Sequence, residues 1–352
     1  MDCTSTTTLR CQHFFEGLLA MTPNTTSLRK LFCSWWALLM ILVFCAASAK
    51  AQSPYPNRPV RVIIPFLSGG ALDQMARIVA DNLSLRFKQA FVVEARAGAG
   101  GVIGTDFVAK STPDGYTLLF SVQAPLTAAP FLNKQLPYDP QTALIPISLV
   151  TIAPNVLIAY PGVPFKTVAE LLNVAKSAPN KVSFASQGQG TTGHITGAMI
   201  DMMAGTKLLH IPYKGFPPML TDVETGRVDM MFADSINAIP RIKSKELIAI
   251  AVASDKRLDV LPDVPTFAES GLAGIVSGPQ FSLFAPANTP PEIVNKIAQE
   301  IKSILKMPHV LNTLRELGVE IKGAGPEEAR VLLQAEYLRT KEAVKAVGIQ
   351  PL

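Results

Sequence analysis

From Val60 onward the chain alternates short apolar runs with stretches of helical period, and this alternation restricts its fold more than any other feature. Val60-Arg-Val-Ile-Ile-Pro-Phe66 is nearly all apolar, which suits a strand buried on both faces. Gly69-Gly70 ends it, and Leu72, Met75, Val79 and Leu83 then share one helical face. Phe91–Glu94 reads as a strand, Gly101–Lys110 as a helix and Thr117–Ser121 as a strand. Ile147–Tyr160 is apolar and extended, broken at Pro154, and reads as a crossing segment.

The alternation restarts after Pro164. Helices are expected over Lys166–Ser177, up to Met203, over Pro218–Thr225 and up to Lys245. Strands are expected over Lys181–Ser186, Leu208–Pro212, Val228–Phe232 and Leu247–Val252. A Pro/Gly-rich passage, Leu261–Gly278, leads to a further strand at Phe281–Ala285. Thr289 is placed to cap a helix with Pro290 in its first turn and Ile293, Ile297, Ile301 and Leu305 on its buried face. The last helix spans Pro326–Ala346.

Strands separated by helices predict an α/β fold of two lobes, with mostly parallel sheets flanked by helices. The expected division is residues 52–153 plus 278–352 for lobe 1 and 154–277 for lobe 2. In such sheets ligands bind beyond the carboxyl ends of strands, at the turns into helices.

The N-terminus reads as a signal for export. Arg29-Lys30 precede an apolar run, Leu31–Ala47, and Ala49-Lys50-Ala51 is an A-x-A cleavage site. That order is the one of a secretory signal peptide, so residues 1–51 are expected to be removed. A membrane anchor is the rival reading, and the run is at the short edge of a span. Cys45 follows Phe44, where lipid attachment needs a small residue. Met21 is an alternative start. All four cysteines (Cys3, Cys11, Cys33, Cys45) and both tryptophans (Trp35, Trp36) lie in this segment. The remaining chain therefore has no disulfide, thiol nucleophile or cysteine metal site, and its core alone must stabilise it. It keeps 28 of 32 basic and 25 of 27 acidic residues, a balance that leaves no nucleic-acid footprint.

Two glycine-rich turns draw attention. Phe66-Leu-Ser-Gly-Gly-Ala71 joins the first strand to its helix, where exposed N–H groups and the helix dipole favour an anion. A tight turn with Asp73 offsetting the dipole explains the same residues. Gly188-Gln-Gly-Thr-Thr-Gly193 matches GxGxxG between a strand and a helix. No acidic residue ends the next strand, Leu208–Tyr213, so a dinucleotide is not expected, nor any other cofactor. Gly98–Gly101 lacks hydroxyls and reads as structural. His194, His210 and His309 show no metal-ligand spacing. No GxSxG elbow or P-loop occurs, and nothing nominates a nucleophile with its base.

A longer series of motifs is specific. Tyr55-Pro-x-Arg58-Pro59, Ile64-Pro-Phe66, Gly69-Gly70 and Asp73 open it. Gly98-Ala-Gly-Gly101, Pro113-Asp-Gly-Tyr-Thr117 and Leu136-Pro-Tyr-Asp-Pro140 follow, then Phe184-Ala-Ser186, Gly190-Thr191 and His194. Pro212-Tyr-Lys-Gly215, Val228-Asp-x-Met-Phe232, Leu261-Pro-Asp-Val-Pro265 and Leu283-Phe-Ala-Pro286 complete it. Over roughly residues 54–350 the chain resembles the Bug-type solute-binding proteins, the extracytoplasmic receptors of tripartite tricarboxylate transporters.

The resemblance implies a two-lobed periplasmic binding protein of the Venus-flytrap type II kind, and not an enzyme. Its ligand would be a small organic acid or amino acid. Its partners would be membrane transporter subunits or a sensor kinase, with no nucleic acid, and a monomer is expected. One carboxylate would be held by Phe66, Leu67, Ser68, Gly69, Gly70 and Ala71 and reached from the other lobe by Ser186, Gln187, Thr191 and Thr192, with Asp234 tuning specificity. Gln187 and Gln189 stand where the family often has Ser and Asn, and Ala233-Asp234 replaces an earlier Asp, which weakens an α-amino acid assignment. A secreted α/β enzyme acting on a small carboxylic acid is the main alternative, but it lacks a nucleophile motif. The effector lobe of a transcription regulator is another, but the helix-turn-helix is missing.

Overall fold

The computed structural model describes residues 55–346. The proposed signal peptide lies outside the described residues. Eleven strands form two sheets among the described residues. The first contains β1 (Val60–Ile64), β2 (Phe91–Ala95), β3 (Thr117–Ser121), β4 (Leu144–Ile152), β10 (Gln280–Pro286) and β11 (Glu320–Ala324), in the order β11-β4-β10-β3-β1-β2. The second contains β5 (Asn155–Ala159), β6 (Ser183–Ser186), β7 (Leu209–Pro212), β8 (Met230–Asp234) and β9 (Ile248–Val252), in the order β7-β6-β8-β5-β9.

Helices cover both sheets: α1 (Ala71–Phe87), α2 (Val102–Ala109), α3 (Ala124–Thr127), α4 (Ala129–Leu132), α5 (Val168–Ser177), α6 (Thr192–Ala204), α7 (Phe216–Glu224), α8 (Ser235–Lys243), α9 (Pro291–Ile304), α10 (Pro308–Glu316) and α11 (Pro326–Ala346). None of these is long and apolar enough to cross a membrane. The expected α1 face is fully in the core, with Leu72, Met75, Val79 and Leu83 all buried. α5 begins at Val168 rather than Lys166 because Thr167 and Glu170 close a reciprocal capping box there.

The strand directions are mixed rather than mostly parallel. β1 lies parallel to β2 and β3, and β6 lies parallel to β7 and β8. The pairings of β4, β5, β9, β10 and β11 are antiparallel. The reason is the crossing. β4 runs straight on into β5 of the second sheet and β10 returns from it, so neither β4 nor β5 is joined to a sheet neighbour by the local helix crossover that parallel pairing requires. Thr289 also departs from expectation. Its hydroxyl donates to Pro286 O at 2.8 Å, and Pro290 takes the N-cap position.

The chain passes between the sheets twice, at Ala153-Pro154 and at Ser277–Pro279, and the two passages lie side by side. Ala153 N donates to Pro279 O at 3.0 Å and Asn155 N to Ser277 O at 2.8 Å. Ser277 N donates in turn to Ala253 O at 2.9 Å. A side chain at Gly278 would overlap Ala153 O, so the contact admits only glycine.

Candidate functional site

Three helix starts meet in the space between the sheets. α1 follows Gly70, α6 follows Thr191 and α7 follows Gly215, and no side chain caps any of the three. Their first N–H groups are therefore free to meet a ligand, and each dipole presents its positive end. The starts are close neighbours. A Cβ at Gly70 would lie 3.6 Å from Phe216 Cβ, and one at Gly215 would lie 3.4 Å from Leu67 Cδ1.

Gly70, Thr191 and Gly215 line one cavity of about 60 Å3. Phe66, Leu67, Ala71, Gln187, Thr192 and Asp234 line it too. Most of the residues singled out in the sequence are thus brought together. Ser68, Gly69 and Ser186 are not in its wall. Gly69 N instead donates to Asp73 at 3.1 Å, and Asp73 pairs with Arg77 at 3.0 Å. That part of the turn is spent on offsetting its own dipole, as the tight-turn reading supposes. None of the expected residues lines the larger groove of about 810 Å3, whose wall includes charged residues such as Arg257, Glu316 and Arg339.

The turn after β6 is held from within. Thr191 Oγ1 donates to Gly188 O at 2.8 Å, and Gly190 N donates to His194 Nδ1 at 3.1 Å. Ser186 Oγ lies 2.7 Å from His210 Nε2. The His210 ring is sandwiched between Phe184 (4.9 Å between centroids) and His194 (4.0 Å). Burial pushes both imidazoles down to about 4, and His194 adds to the effect on His210. Both rings are therefore neutral at pH 7 and act as packing and hydrogen-bonding groups. Ser186 and His210 have the spacing of a nucleophile and its base, but Ser186 is fully buried and lies outside the cavity wall.

Asp234 ends β8 and caps α8. Its Oδ1 accepts from Asn237 N and its Oδ2 from Asn237 Nδ2, both at 3.0 Å. Burial raises its pKa to about 6 in spite of these bonds. Its register partner on β5 is Asn155, whose Nδ2 donates to Ser277 Oγ at 2.9 Å.

Sequence reasoning missed half of the wall. Gln123 lines the cavity and braces the second passage between the sheets, donating to Gly278 O at 3.1 Å and accepting from Gln280 N at 2.8 Å. Asn155, Phe216, Phe232 and Phe281 were also missed. The three Phe residues read as ordinary core in a linear sequence, and only the closure of the two sheets turns them toward one space. Among the described residues no group of three or more potential ligands could hold a metal ion.

Two α/β lobes with uncapped helix starts trained on the space between them define a two-lobed solute-binding protein. Residues 75–349 match the model of the tripartite tricarboxylate transporter family receptor, TctC. The chain therefore belongs to the tripartite tricarboxylate transporter receptor family. It is 36% identical over 306 residues to the UPF0065 protein in the tcbD-tcbE intergenic region of Pseudomonas sp. (strain P51), covering 86% of this chain and 91% of that one. The structure of Rpa4515 from R. palustris with adipate is similar at a TM-score of 0.82 and 32% identity, covering 85% of this chain and 100% of that one. The periplasmic binding protein BugD is similar at 0.80 and 35%, with 85% and 100% covered.

Proposed function

We propose that this protein is a periplasmic receptor that captures a small carboxylate between its lobes, for uptake by a tripartite tricarboxylate-type transporter or for sensing. The observation that carries this reading is the convergence of three uncapped helix starts on one cavity. Membership in a receptor family and the adipate bound by Rpa4515 support it.

In this reading residues 1–51 are a signal peptide removed on export. Residues 52–153 with 278–352 form one lobe and 154–277 the other. Gly70, Ala71, Thr191, Thr192 and Gly215 hold the carboxylate with backbone N–H groups, and closure excludes water from it. Gln187 and Asp234 tune the choice of ligand.

The test is a thermal-shift panel of dicarboxylates, citrate, aromatic acids and amino acids on protein denatured and refolded to strip bound ligand. A ligand at 100 times its Kd should add about 2.7 kcal/mol of stability. The absence of a shift with every acid of the panel, on protein whose refolding is verified, would overturn the reading. Mass spectrometry of protein from the periplasmic fraction should find an N-terminus at Gln52.

A further inference from the structure

His194 lies outside the cavity wall, yet it anchors a turn that belongs to that wall. It stands in the first turn of α6, and its Nδ1 accepts from Gly190 N at 3.1 Å. A main-chain N–H can only donate, so this Nδ1 carries no proton and the ring holds its single proton on Nε2. The ring also lies 4.0 Å from the His210 ring and within 8° of parallel. His210 in turn meets Ser186 Oγ at 2.7 Å, and that oxygen accepts from Gly188 N at 3.2 Å. The bonds of the two histidines thus reach Gly188 and Gly190, the two glycines that shape the turn. Thr191 and Thr192 follow directly, line the cavity and start α6.

A proton on His194 would break this anchor. Nδ1–H would point at Gly190 N–H, donor against donor, and a buried cation would lie face to face with a second imidazole. Few charges surround the pair. β7 offers only His210, and β6, α3 and α4 carry no charged side chain. β8 ends at Asp234, whose carboxylate is bonded to Asn237. α6 itself carries Asp201, which is bonded to Thr206 and Leu208. On α11, Val344 packs beside Ile195 of α6, while Lys341 and Lys345 are exposed. None of these moves His194, which is held neutral by burial.

We infer that His194 is a positioning residue for the ligand turn: its neutral ring fixes Gly190, and with it Thr191 and Thr192, in the binding arrangement, and a proton on the ring releases them. The consequence for binding rests on the receptor reading above, whereas the order of the turn does not.

The experiment reads amide hydrogen exchange by NMR on ligand-free protein, and adipate binding by calorimetry, in the wild type, His194→Asn and His194→Leu. Asn places Oδ1 near the position of Nδ1, so it keeps the acceptor and cannot titrate. Leu keeps bulk and loses the acceptor. Gly190 protection in the wild type should fall at least tenfold from pH 7.5 to pH 5, since the open turn takes up the proton more readily. In His194→Asn it should stay within about threefold over that range. In His194→Leu it should be at least tenfold below the wild type already at pH 7.5, with adipate bound at least threefold more weakly. Equal Gly190 protection in the wild type and His194→Leu, or the same pH dependence in the wild type and His194→Asn, would overturn the inference. So would equal adipate affinity in all three. If His194→Leu does not fold, the pH comparison of the wild type with His194→Asn decides alone. Protection in the expected order, with no acid of the thermal-shift panel bound by the wild type, would overturn the receptor reading and leave the anchor standing.

Discussion

Leu132 occupies the space that a side chain on Gly190 would need. A Cβ at Gly190 would overlap Leu132 Cδ1 and lie 3.1 Å from Ala128 Cβ. Gly190 belongs to the turn after β6, while Leu132 ends α4 beside the first sheet, so this contact is one place where the lobes meet.

Gly190 also has φ +73°, a conformation in which a β-carbon costs about 1–2 kcal/mol. Gly190→Ala should lower the urea-unfolding free energy by about that amount. It should also weaken carboxylate binding by obstructing closure. Adding Leu132→Ala should recover part of the binding but none of the stability, since backbone strain remains and a buried leucine is truncated. Identical binding losses in the single and double variants would show that the contact does not control closure.

Gly70 has φ −101°, which any residue adopts, and a Cβ there makes ordinary contact with Phe216. Gly70→Val should therefore fold with a melting temperature close to the parent. Its methyl groups would cover the start of α1 and cost at least tenfold in affinity for whichever carboxylate binds. Calorimetry alongside thermal denaturation separates the two effects, and unchanged affinity would remove this turn from the site.

Asp234 makes stability depend on pH in a definite direction. Its pKa rises from the ordinary 3.8 to about 6 on folding, so the folded chain holds the proton more tightly. Stability from this group falls as pH rises from about 4 to about 6, and above that range burying the charge costs roughly 3 kcal/mol at 1.36 per unit. Asp234→Asn keeps an oxygen to cap α8. It should stabilise the protein by about 1–3 kcal/mol at pH 7.5 and by little at pH 4, read from urea midpoints. Equal effects at both values would mean that the carboxylate is not desolvated.

The stacked histidines run the other way. His194 and His210 fall from 6.5 to about 4 on folding, so the unfolded chain takes up protons first as the solution is acidified. Their contribution is full above about pH 6.5 and is lost as pH falls toward 4. Two histidines against one aspartate leave a net loss of stability on acidification. A His194→Gln/His210→Gln variant should flatten or reverse that slope between pH 4 and 6.5 in pH-dependent unfolding.

Local patterns carried much of this fold. α1 was legible from Leu72, Met75, Val79 and Leu83, and α11 from Pro326 to Ala346, because an amphipathic period is a property of neighbouring residues. β11 was not legible. Glu320-Ile-Lys-Gly-Ala324 is half exposed at the sheet edge, and its pairing with β4 is set by residues about 170 positions earlier. The two glycine turns of the site were visible, since turn chemistry is local. Gln123, Asn155 and the phenylalanines of the wall were not, because what marks them is position across the space between two sheets. The pairing of His194 with His210 is likewise set by β6 and β7 lying side by side.

The two passages between the sheets form a two-ply strap. Main-chain bonds from Ala153 to Pro279 and from Asn155 to Ser277 tie the plies together, and Gly278 lies against Ala153 without room for a side chain. Such a strap resists torsion along its length and yields most easily by bending across its width. Opening of the cavity then reduces to a single angle. One pair of spectroscopic labels, one on each lobe, would be enough to follow it, and the lack of cysteine in the chain after residue 51 leaves every introduced thiol free to carry them.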